Sequence, residues 1–189
     1  EPPTPLGTGF DSFIYEFRLE GAADGEWSAP LVLRLQGAPT FASKVRREAD
    51  VQNFLIAAGY AVPALLAAED ASNAFGLPFM IMERVPGTTM LARITSNPLR
   101  ASGLLSGLAG LHADLHRLPH AGWPLDDGDE PLVLRQIAKF RRRIEEQHLD
   151  DLRGGLDWLE RHAPAVLPET AVITHNDFHP LNVLVTDEG

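Results

Sequence analysis

The chain has 189 residues and is 44% hydrophobic, which is enough for the core of one domain or of two small lobes. Its 16 basic and 26 acidic side chains give a net charge of −10, which argues against nucleic acid as a partner because phosphate contacts need clustered Lys and Arg. The lack of cysteine excludes disulfides and thiolate chemistry, and without a membrane-length apolar run or a signal peptide we expect a cytoplasmic protein with no membrane partner.

The first segment combines prolines with a glycine-rich turn. The prolines within residues 2–5 predict an irregular start, and Gly7, Gly9 and Ser12 then form the pattern G-x-G-x-x-S. Such a turn lets backbone N–H groups approach phosphate oxygens closely, although an ordinary hairpin can carry the same pattern. The alternating apolar side chains of residues 13–19 predict the first strand.

A second strand and a helix follow. Residues 31–35 read as a strand in which Arg34 is the one charge, and residues 41–58 have the periodicity of an amphipathic helix. Glu48 falls on the apolar stripe of this helix. Because an inward carboxylate is costly unless paired, Arg34 is its predicted partner; the alternative is a Glu48 at the edge of the stripe, in water.

The composition changes after the next strands. Residues 62–69 predict a short extended segment and residues 77–83 a buried strand, which a Pro-Gly pair ends. From there the pattern is helical. We therefore predict two domains, an N-terminal lobe over residues 1–86 and a C-terminal lobe over residues 87–189.

Three helices are predicted in the second half, over residues 98–118, 132–147 and 149–162. In the first of them Gly103, Gly107 and Gly110 would weaken an isolated helix by about 1 kcal/mol each, which indicates that another backbone packs closely there. His112 and His116 have the spacing of a metal pair but lack the neighbouring Glu of a zinc helix, so we interpret them as capping or surface residues.

The last segment is H-N-D-F-H-P-L-N, residues 175–182, followed by an apolar strand. The frame H-x-D-x-x-x-x-N is typical of the catalytic loop of kinases. Phosphoryl transfer needs a carboxylate that accepts the attacking hydroxyl's proton, here Asp177, and an oxygen ligand for magnesium, here the amide of Asn182. His175 would brace the loop.

Two alternatives compete for this segment. It could be a polar turn whose side chains bond their own backbone. Alternatively, His175, Asp177 and His179 alternate along the chain and could hold a metal together, as in the facial triad of non-haem iron oxygenases.

Taken together, the segments resemble the aminoglycoside phosphotransferase and choline kinase superfamily, small-molecule relatives of protein kinases. The resemblance covers essentially the whole chain and rests on six segments in the family's order: L-G-T-G-F-D-S, V-L-R-L, R-R-E, P-F-M-I-M-E-R-V-P-G, L-H-A-D-L-H and H-N-D-F-H-P-L-N-V-L-V. It implies an α+β, bilobal protein-kinase-like fold, in which an N-terminal antiparallel sheet with one helix precedes a mainly helical, incomplete C-terminal lobe.

The resemblance also implies a nucleotide site in the first lobe. Gly7, Gly9 and Ser12 would lie in the loop that covers the nucleotide. Arg34 stands where the family usually has the lysine that contacts the α- and β-phosphates and pairs with a helix glutamate, here Glu48. Arg keeps the charge, and its forked guanidinium could grip Glu48 with two nitrogens.

The hinge and the catalytic loop complete the implied site. The Glu83 carbonyl and the Val85 N–H would bond the adenine edge, Asp177 would be the catalytic base, and Asn182 a magnesium ligand. His179 stands where protein kinases usually have lysine, which favours a small-molecule acceptor. Asn176 replaces the glycine that is common after the loop histidine.

The family places a second magnesium-binding aspartate on the strand after this loop, beyond Gly189, so we expect residues 1–189 alone to be inactive. The function implied is an ATP-dependent (or GTP-dependent) phosphotransferase that uses Mg²⁺ and a hydroxyl of a small molecule such as an amino sugar or amino alcohol. The alternative is a non-catalytic, kinase-like module that binds a nucleotide or a partner. The acceptor and the oligomeric state stay open.

Overall fold

The structure, a computed structural model, describes residues 2–8, 11–22, 25–125, 131–167 and 172–186. The chain divides into two compact units, which are taken separately below: residues 1–125 together with 173–189, and residues 126–172. The lobe boundary predicted at residue 86 stays a prediction.

The first unit opens with an antiparallel sheet in the order β1-β2-β3-β5-β4. The strands are β1 Thr4–Thr8, β2 Ser12–Phe17, β3 Leu31–Gln36, β4 Leu65–Glu69 and β5 Phe79–Glu83. The last four confirm the predicted strands. The sheet buries Leu31 of β3 and both Phe79 and Met80 of β5, whose side chains lie on opposite faces of that strand.

Strand β1 corrects the irregular start predicted for the prolines. It lies at the edge of the sheet and pairs with β2 alone, with a register shift between Pro5 and Gly7. Proline is tolerated in edge strands because its missing N–H need not enter the ladder. The prolines therefore do not prevent pairing.

Helix α1, Ala42–Ala57, packs on the sheet and confirms the predicted helix to within a residue at each end. Val45 and Ala49 on its inner face join Met80 of β5 in one buried cluster. The C-cap residue Ala58 is followed by Gly59, whose φ of +73° is a conformation that favours glycine and does not continue the helix.

After the sheet come β6 Thr88–Thr89, helix α2 Met90–Ser96, helix α3 Ala101–Arg117 and, at the end of the chain, β7 Leu184–Val185. The predicted helix over residues 98–118 is confirmed, with a 3₁₀ turn at Pro98–Arg100 as its start. Helix α2 was not predicted. Thr89 caps it by accepting a hydrogen bond from the Ala92 N–H at 3.3 Å.

Gly87 lets the chain after the sheet pass close to β7. A Cβ there would lie 2.6 Å from the backbone oxygen of Val185, and β6 pairs with β7 at this point. We expect Gly87→Ala to lower the free energy of unfolding by about 1–3 kcal/mol, the usual cost of forcing extra atoms into a packed site. Urea denaturation measures the loss.

Gly103→Ala is the matched control for this prediction. A Cβ at Gly103 meets nothing within 4 Å, so alanine there should stabilise the helix by up to about 1 kcal/mol. Equal urea midpoints for Gly87→Ala and the wild type would contradict the tight contact.

The three glycines of α3 differ from the prediction. A Cβ at Gly103, Gly107 or Gly110 would have no atom of the described residues within 4 Å, so no backbone packs closely against them. They line a cavity of about 480 Å³ whose opposite wall includes Val183 and Val185. This face of α3 is open because its three glycines have no Cβ atoms, and no other backbone packs closely against it among the described residues.

The second unit is helical. It holds α4 Leu132–Glu146 and α5 Arg153–His162, around a core of Ile137, Ile144, Leu156 and Ala163. The helix predicted from residue 149 begins as the 3₁₀ turn Asp150–Leu152. Across the described ranges of both units, no helix is long and apolar enough to cross a membrane.

Candidate active site

The carboxylate of Asp177 lies exposed on the loop before β7, with its side chain 73% accessible. Asn182 Nδ2 donates to Asp177 Oδ2 at 3.0 Å and to the Asp177 backbone oxygen at 3.0 Å. The Asn182 N–H also donates to the His179 carbonyl at 2.9 Å. The spacing of Asp177 and Asn182 in the motif therefore corresponds to direct contact, because the loop folds back on itself.

His179 contacts the other oxygen of Asp177. Its Nδ1 accepts a hydrogen bond from the Leu181 N–H at 3.3 Å, so in the neutral ring the proton is on Nε2. Nε2 lies 3.2 Å from Asp177 Oδ1 and 3.3 Å from Asn182 Nδ2. Asp177 Oδ2 thus accepts a hydrogen bond from Asn182, Oδ1 lies beside the His179 ring, and both oxygens keep a lone pair for a substrate.

Asn176 has a φ of +63°, in the left-handed region. Glycine adopts this conformation without strain, and Asn is among the few other residues that enter it routinely. The Asn176 Oδ1 accepts a hydrogen bond from Thr174 Oγ1 at 3.1 Å. The structure therefore explains physically why Asn can replace the glycine expected after His175.

Helix α2 holds the end of the loop through two backbone hydrogen bonds. The Met90 N–H donates to the Val183 carbonyl at 2.8 Å, and the Leu91 N–H donates to the Pro180 carbonyl at 3.0 Å. Both donors lie in the first turn of the helix, where N–H groups have no partner within the helix itself. The sequence pattern missed this support along with the helix.

Aromatic rings hold the loop from the side of α3. The rings of His112 and Phe178 are stacked, with centroids 4.9 Å apart and planes 16° from parallel. The ring centroid of His116 is 4.3 Å from that of His112, and the ring of His175 meets Phe178 edge-on with centroids 5.6 Å apart. The interpretation of His112 and His116 as capping or surface residues is thus replaced by ring packing. The bracing role of His175 stays a prediction.

Tyr60 fixes α3 next to this stack. Its hydroxyl donates to the carbonyl of Leu111 at 3.1 Å. Burial raises the pKa of the Tyr60 phenol, and the nearby Asp114 carboxylate raises it further, so the donor keeps its proton. The segment after α1 is thereby tied to the residue that precedes His112.

No group of three or more His, Cys, Asp or Glu side chains suited to a metal occurs among the described residues. His179 Nε2 contacts Asp177, whereas the ring of His175 packs against Phe178. The oxygenase-type triad of His175, Asp177 and His179 therefore has no support in the geometry.

One polar cluster connects the sheet with α1. It consists of Ser12 of β2, Arg34 of β3 and Glu48 of α1. Arg34 Nη1 lies 3.0 Å from Glu48 Oε2, so the predicted ion pair is present, with the two side chains 33% and 31% accessible. Arg34 Nε donates to the buried Ser12 hydroxyl at 3.4 Å. The guanidinium is therefore shared between Glu48 and Ser12, which differs from the two-nitrogen grip on Glu48 that the sequence suggested.

The other predicted nucleotide contacts lie at the ends of the sheet. Gly7 is in β1, with open space where a Cβ would point, and Gly9 lies outside the described residues. The Glu83 N–H donates to the Ala64 carbonyl at 2.9 Å. The Val85 carbonyl accepts from the Arg84 guanidinium, whereas the Val85 N–H has no acceptor in the described part of the chain.

The ion pair gives a testable expectation. We expect Glu48→Gln to weaken nucleotide binding about 2–5-fold, since an ion pair that is one-third exposed contributes up to ~1 kcal/mol and holds the guanidinium in place. Titration with a fluorescent ATP analogue measures it. Arg46→Met is the control because it breaks another ion pair of α1, that of Arg46 Nη2 with Asp70 Oδ2 at 4.0 Å. Equal affinities of Glu48→Gln and Arg46→Met would contradict the role of the pair.

The sequence matches the model of the Phosphotransferase enzyme family, APH, over residues 4–189. The chain belongs to this phosphotransferase family. Membership supports kinase-type phosphoryl transfer in general and disfavours the oxygenase alternative. A search of curated proteins finds no match.

Solved structures related to the phosphotransferase family have the same fold at low sequence identity. APH(2")-IIIa in complex with GDP and kanamycin aligns with a TM-score of 0.66 and 18% identity, over 100% of this chain and 63% of that one. A candidate aminoglycoside phosphotransferase from Ralstonia eutropha JMP134 gives 0.65 and 18%, over 98% and 55%. The macrolide 2′-phosphotransferase MphH from Brachybacterium faecium, as apoenzyme, gives 0.57 and 16%, over 98% and 62%. The predicted α+β, kinase-like fold is confirmed, and the chain spans 55–63% of these three structures.

Proposed function

We propose that this phosphotransferase moves the γ-phosphoryl group of ATP, or GTP, to a hydroxyl of a small molecule such as an amino sugar or amino alcohol. The observation that carries the proposal is the exposed carboxylate of Asp177, oriented by Asn182 and His179 and accessible to a substrate. A general base needs this combination of a fixed carboxylate and a free lone pair within reach of the reacting hydroxyl.

The proposed reaction assigns a proton transfer to Asp177. The acceptor hydroxyl gives its proton to the carboxylate as its oxygen forms a bond to the γ-phosphorus. The bond between that phosphorus and the bridging oxygen of the β-phosphate breaks, and the nucleoside diphosphate leaves. A hydrogen bond from Asn182 and the contact with the His179 ring hold the carboxylate, so its direction is set before the substrate arrives.

Asn182 fits the role of magnesium ligand. Its Nδ2 makes all of the side-chain contacts, and its Oδ1 accepts no hydrogen bond from the described residues. An amide oxygen without a protein donor is a ligand of the kind that magnesium prefers. When bound, the ion would neutralise charge on the transferring phosphates.

Three features fit a nucleotide in the first part of the chain. Arg34 uses Nη1 and Nε for Glu48 and Ser12, and its Nη2 has no partner among the described residues, which leaves it for a phosphate oxygen. The open side of Gly7 admits a close approach of phosphate to backbone. The Val85 N–H is available to an adenine or guanine edge.

The acceptor class rests on charge and on the relatives. A net charge of −10 suits a cationic acceptor, and APH(2")-IIIa has been crystallised with kanamycin. A histidine at position 179, where protein kinases usually have lysine, is a further argument for a small molecule. Because the reaction consumes ATP, we place the protein in the cytoplasm, where that nucleotide is abundant.

An acceptor panel tests the proposal. Nucleotide consumption would be measured for the natural protein that carries this chain, with kanamycin, a macrolide, choline and homoserine as acceptors and Mg²⁺ present. We expect turnover that depends on one acceptor class and disappears with EDTA. Nucleotide binding with no turnover on any acceptor would favour the non-catalytic binding module instead.

A further inference from the structure

We propose that His112 of α3 is a positioning residue for Asp177, acting through the ring of Phe178. The inference rests on the proposed function, because it assigns a support to the base of that reaction. Phe178 follows Asp177 directly in the chain, so the place of its ring constrains the backbone that carries the carboxylate.

The carboxylate of Asp177 has no side-chain contact from outside its own loop among the described residues. Both side-chain contacts of its carboxylate come from the same loop, from His179 and Asn182. The two backbone hydrogen bonds from α2 reach Pro180 and Val183, which lie after Asp177. They fix the carboxyl side of the loop and leave the position of Asp177 to other contacts.

Contacts with two histidine rings limit where the ring of Phe178 can lie. His112 and Phe178 are nearly parallel at 4.9 Å, a stacked arrangement that fixes one ring plane against the other. His175 meets the same phenyl ring edge-on, so Phe178 contacts one histidine of α3 and one of its own loop. A sideways shift of the phenyl ring would break both contacts and move Asp177.

Neighbouring residues hold His112 in place. The ring centroids of His112 and His116 are 4.3 Å apart. Leu111, the residue before His112, accepts a hydrogen bond from the Tyr60 hydroxyl. Helix α3 therefore offers a fixed surface to the loop. Since a misplacement of about 1 Å can cost ~10²-fold in rate, a contact that sets the place of the base has a measurable effect on turnover.

The experiment compares His112→Ala with His112→Phe in the natural protein that carries this chain. We expect His112→Ala to lower kcat by about 10–100-fold, with KM for the nucleotide within about 2-fold of the wild type, because the nucleotide contacts lie elsewhere. Phenylalanine keeps a flat ring in the same place, so His112→Phe should return kcat to within about 3-fold of the wild type. Leu105→Ala, at a half-exposed position of the same helix, is the control for helix stability.

A second readout does not need turnover. Hydrogen exchange of the Asn182 amide, which donates to the His179 carbonyl, should become faster in His112→Ala and recover in His112→Phe, with β3 as the unchanged reference. If the wild type binds nucleotide but has no acceptor-dependent turnover, the proposed function fails and this exchange pattern alone decides the inference. The inference is overturned if His112→Ala leaves kcat and exchange unchanged, if His112→Phe does not recover, or if Leu105→Ala gives the same losses.

Discussion

Asp177→Asn should leave nucleotide affinity nearly unchanged and lower turnover by about 10²–10⁴-fold, the usual contribution of a general acid or base. At about 1.4 kcal/mol per decade this corresponds to roughly 3–5 kcal/mol of transition-state stabilisation. The amide still fits between His179 and Asn182, but it cannot take the acceptor's proton. The loss should therefore appear in kcat and not in KM for the nucleotide.

Steady-state kinetics with the best acceptor measures this effect. Asp151→Asn, which removes the same charge from an exposed position of the 3₁₀ turn before α5, serves as the control and should keep wild-type rates. The assignment of Asp177 as the base would fail if Asp177→Asn retained kcat within about 3-fold of the wild type. A fall in nucleotide affinity of equal size would instead indicate that Asp177 acts in binding.

The strands and helices that the sequence predicts are those with a clear repeat. Helix α1 buries a stripe that includes Val45 and Ala49, and the apolar runs of β2, β3 and β5 coincide with strands of the sheet. The motif H-x-D-x-x-x-x-N could also be predicted from the sequence, because its residues all lie in one loop. Asp177 and Asn182 contact each other within one loop, which is why their spacing alone predicts the pair.

Edge strands and short helices are harder to predict for physical reasons. Strand β1 pairs on one side only and contains proline and glycine, so it has neither the alternation nor the composition of a central strand. Helix α2 spans seven residues, which is too short to establish a helical repeat.

Contacts between distant parts of the chain are not encoded in any local pattern. The stacking of His112 on Phe178 depends on how α3 and the loop meet in space. In the sequence, His112 and His116 have the spacing of a metal pair, and the missing neighbouring Glu led to their interpretation as capping or surface residues. The division of the Arg34 guanidinium between Glu48 and Ser12 likewise depends on the register of β2 against β3. Of the proposed site, the identities of the residues were therefore more predictable than their supports.

Asn182→Ala should weaken magnesium-dependent nucleotide binding and also lower turnover. The reason is that the two ends of the side-chain amide have different proposed roles, Oδ1 as a magnesium ligand and Nδ2 as a donor to Asp177. Loss of Oδ1 removes the proposed ligand, and we expect magnesium-dependent nucleotide affinity to fall by at least about 10–100-fold, which is what the loss of even an outer-shell partner of a metal site costs. Loss of Nδ2 removes the hydrogen bond to Asp177 Oδ2, so turnover at saturating nucleotide should fall as well. Nucleotide titrations at several Mg²⁺ concentrations measure the first effect and kcat the second.

Asn182→Asp separates the two tasks. Its carboxylate keeps an oxygen ligand for magnesium, but it cannot donate to Asp177 and places a second negative charge beside it. Magnesium-dependent affinity should thus survive in Asn182→Asp while turnover falls, whereas Asn182→Ala loses both. Asn53→Ala, at an exposed position of α1, is the control and should change neither. If Asn182→Ala shows the magnesium dependence of the wild type, the ligand is another group; if both variants keep full turnover, the hydrogen bond at 3.0 Å has no part in orienting the base.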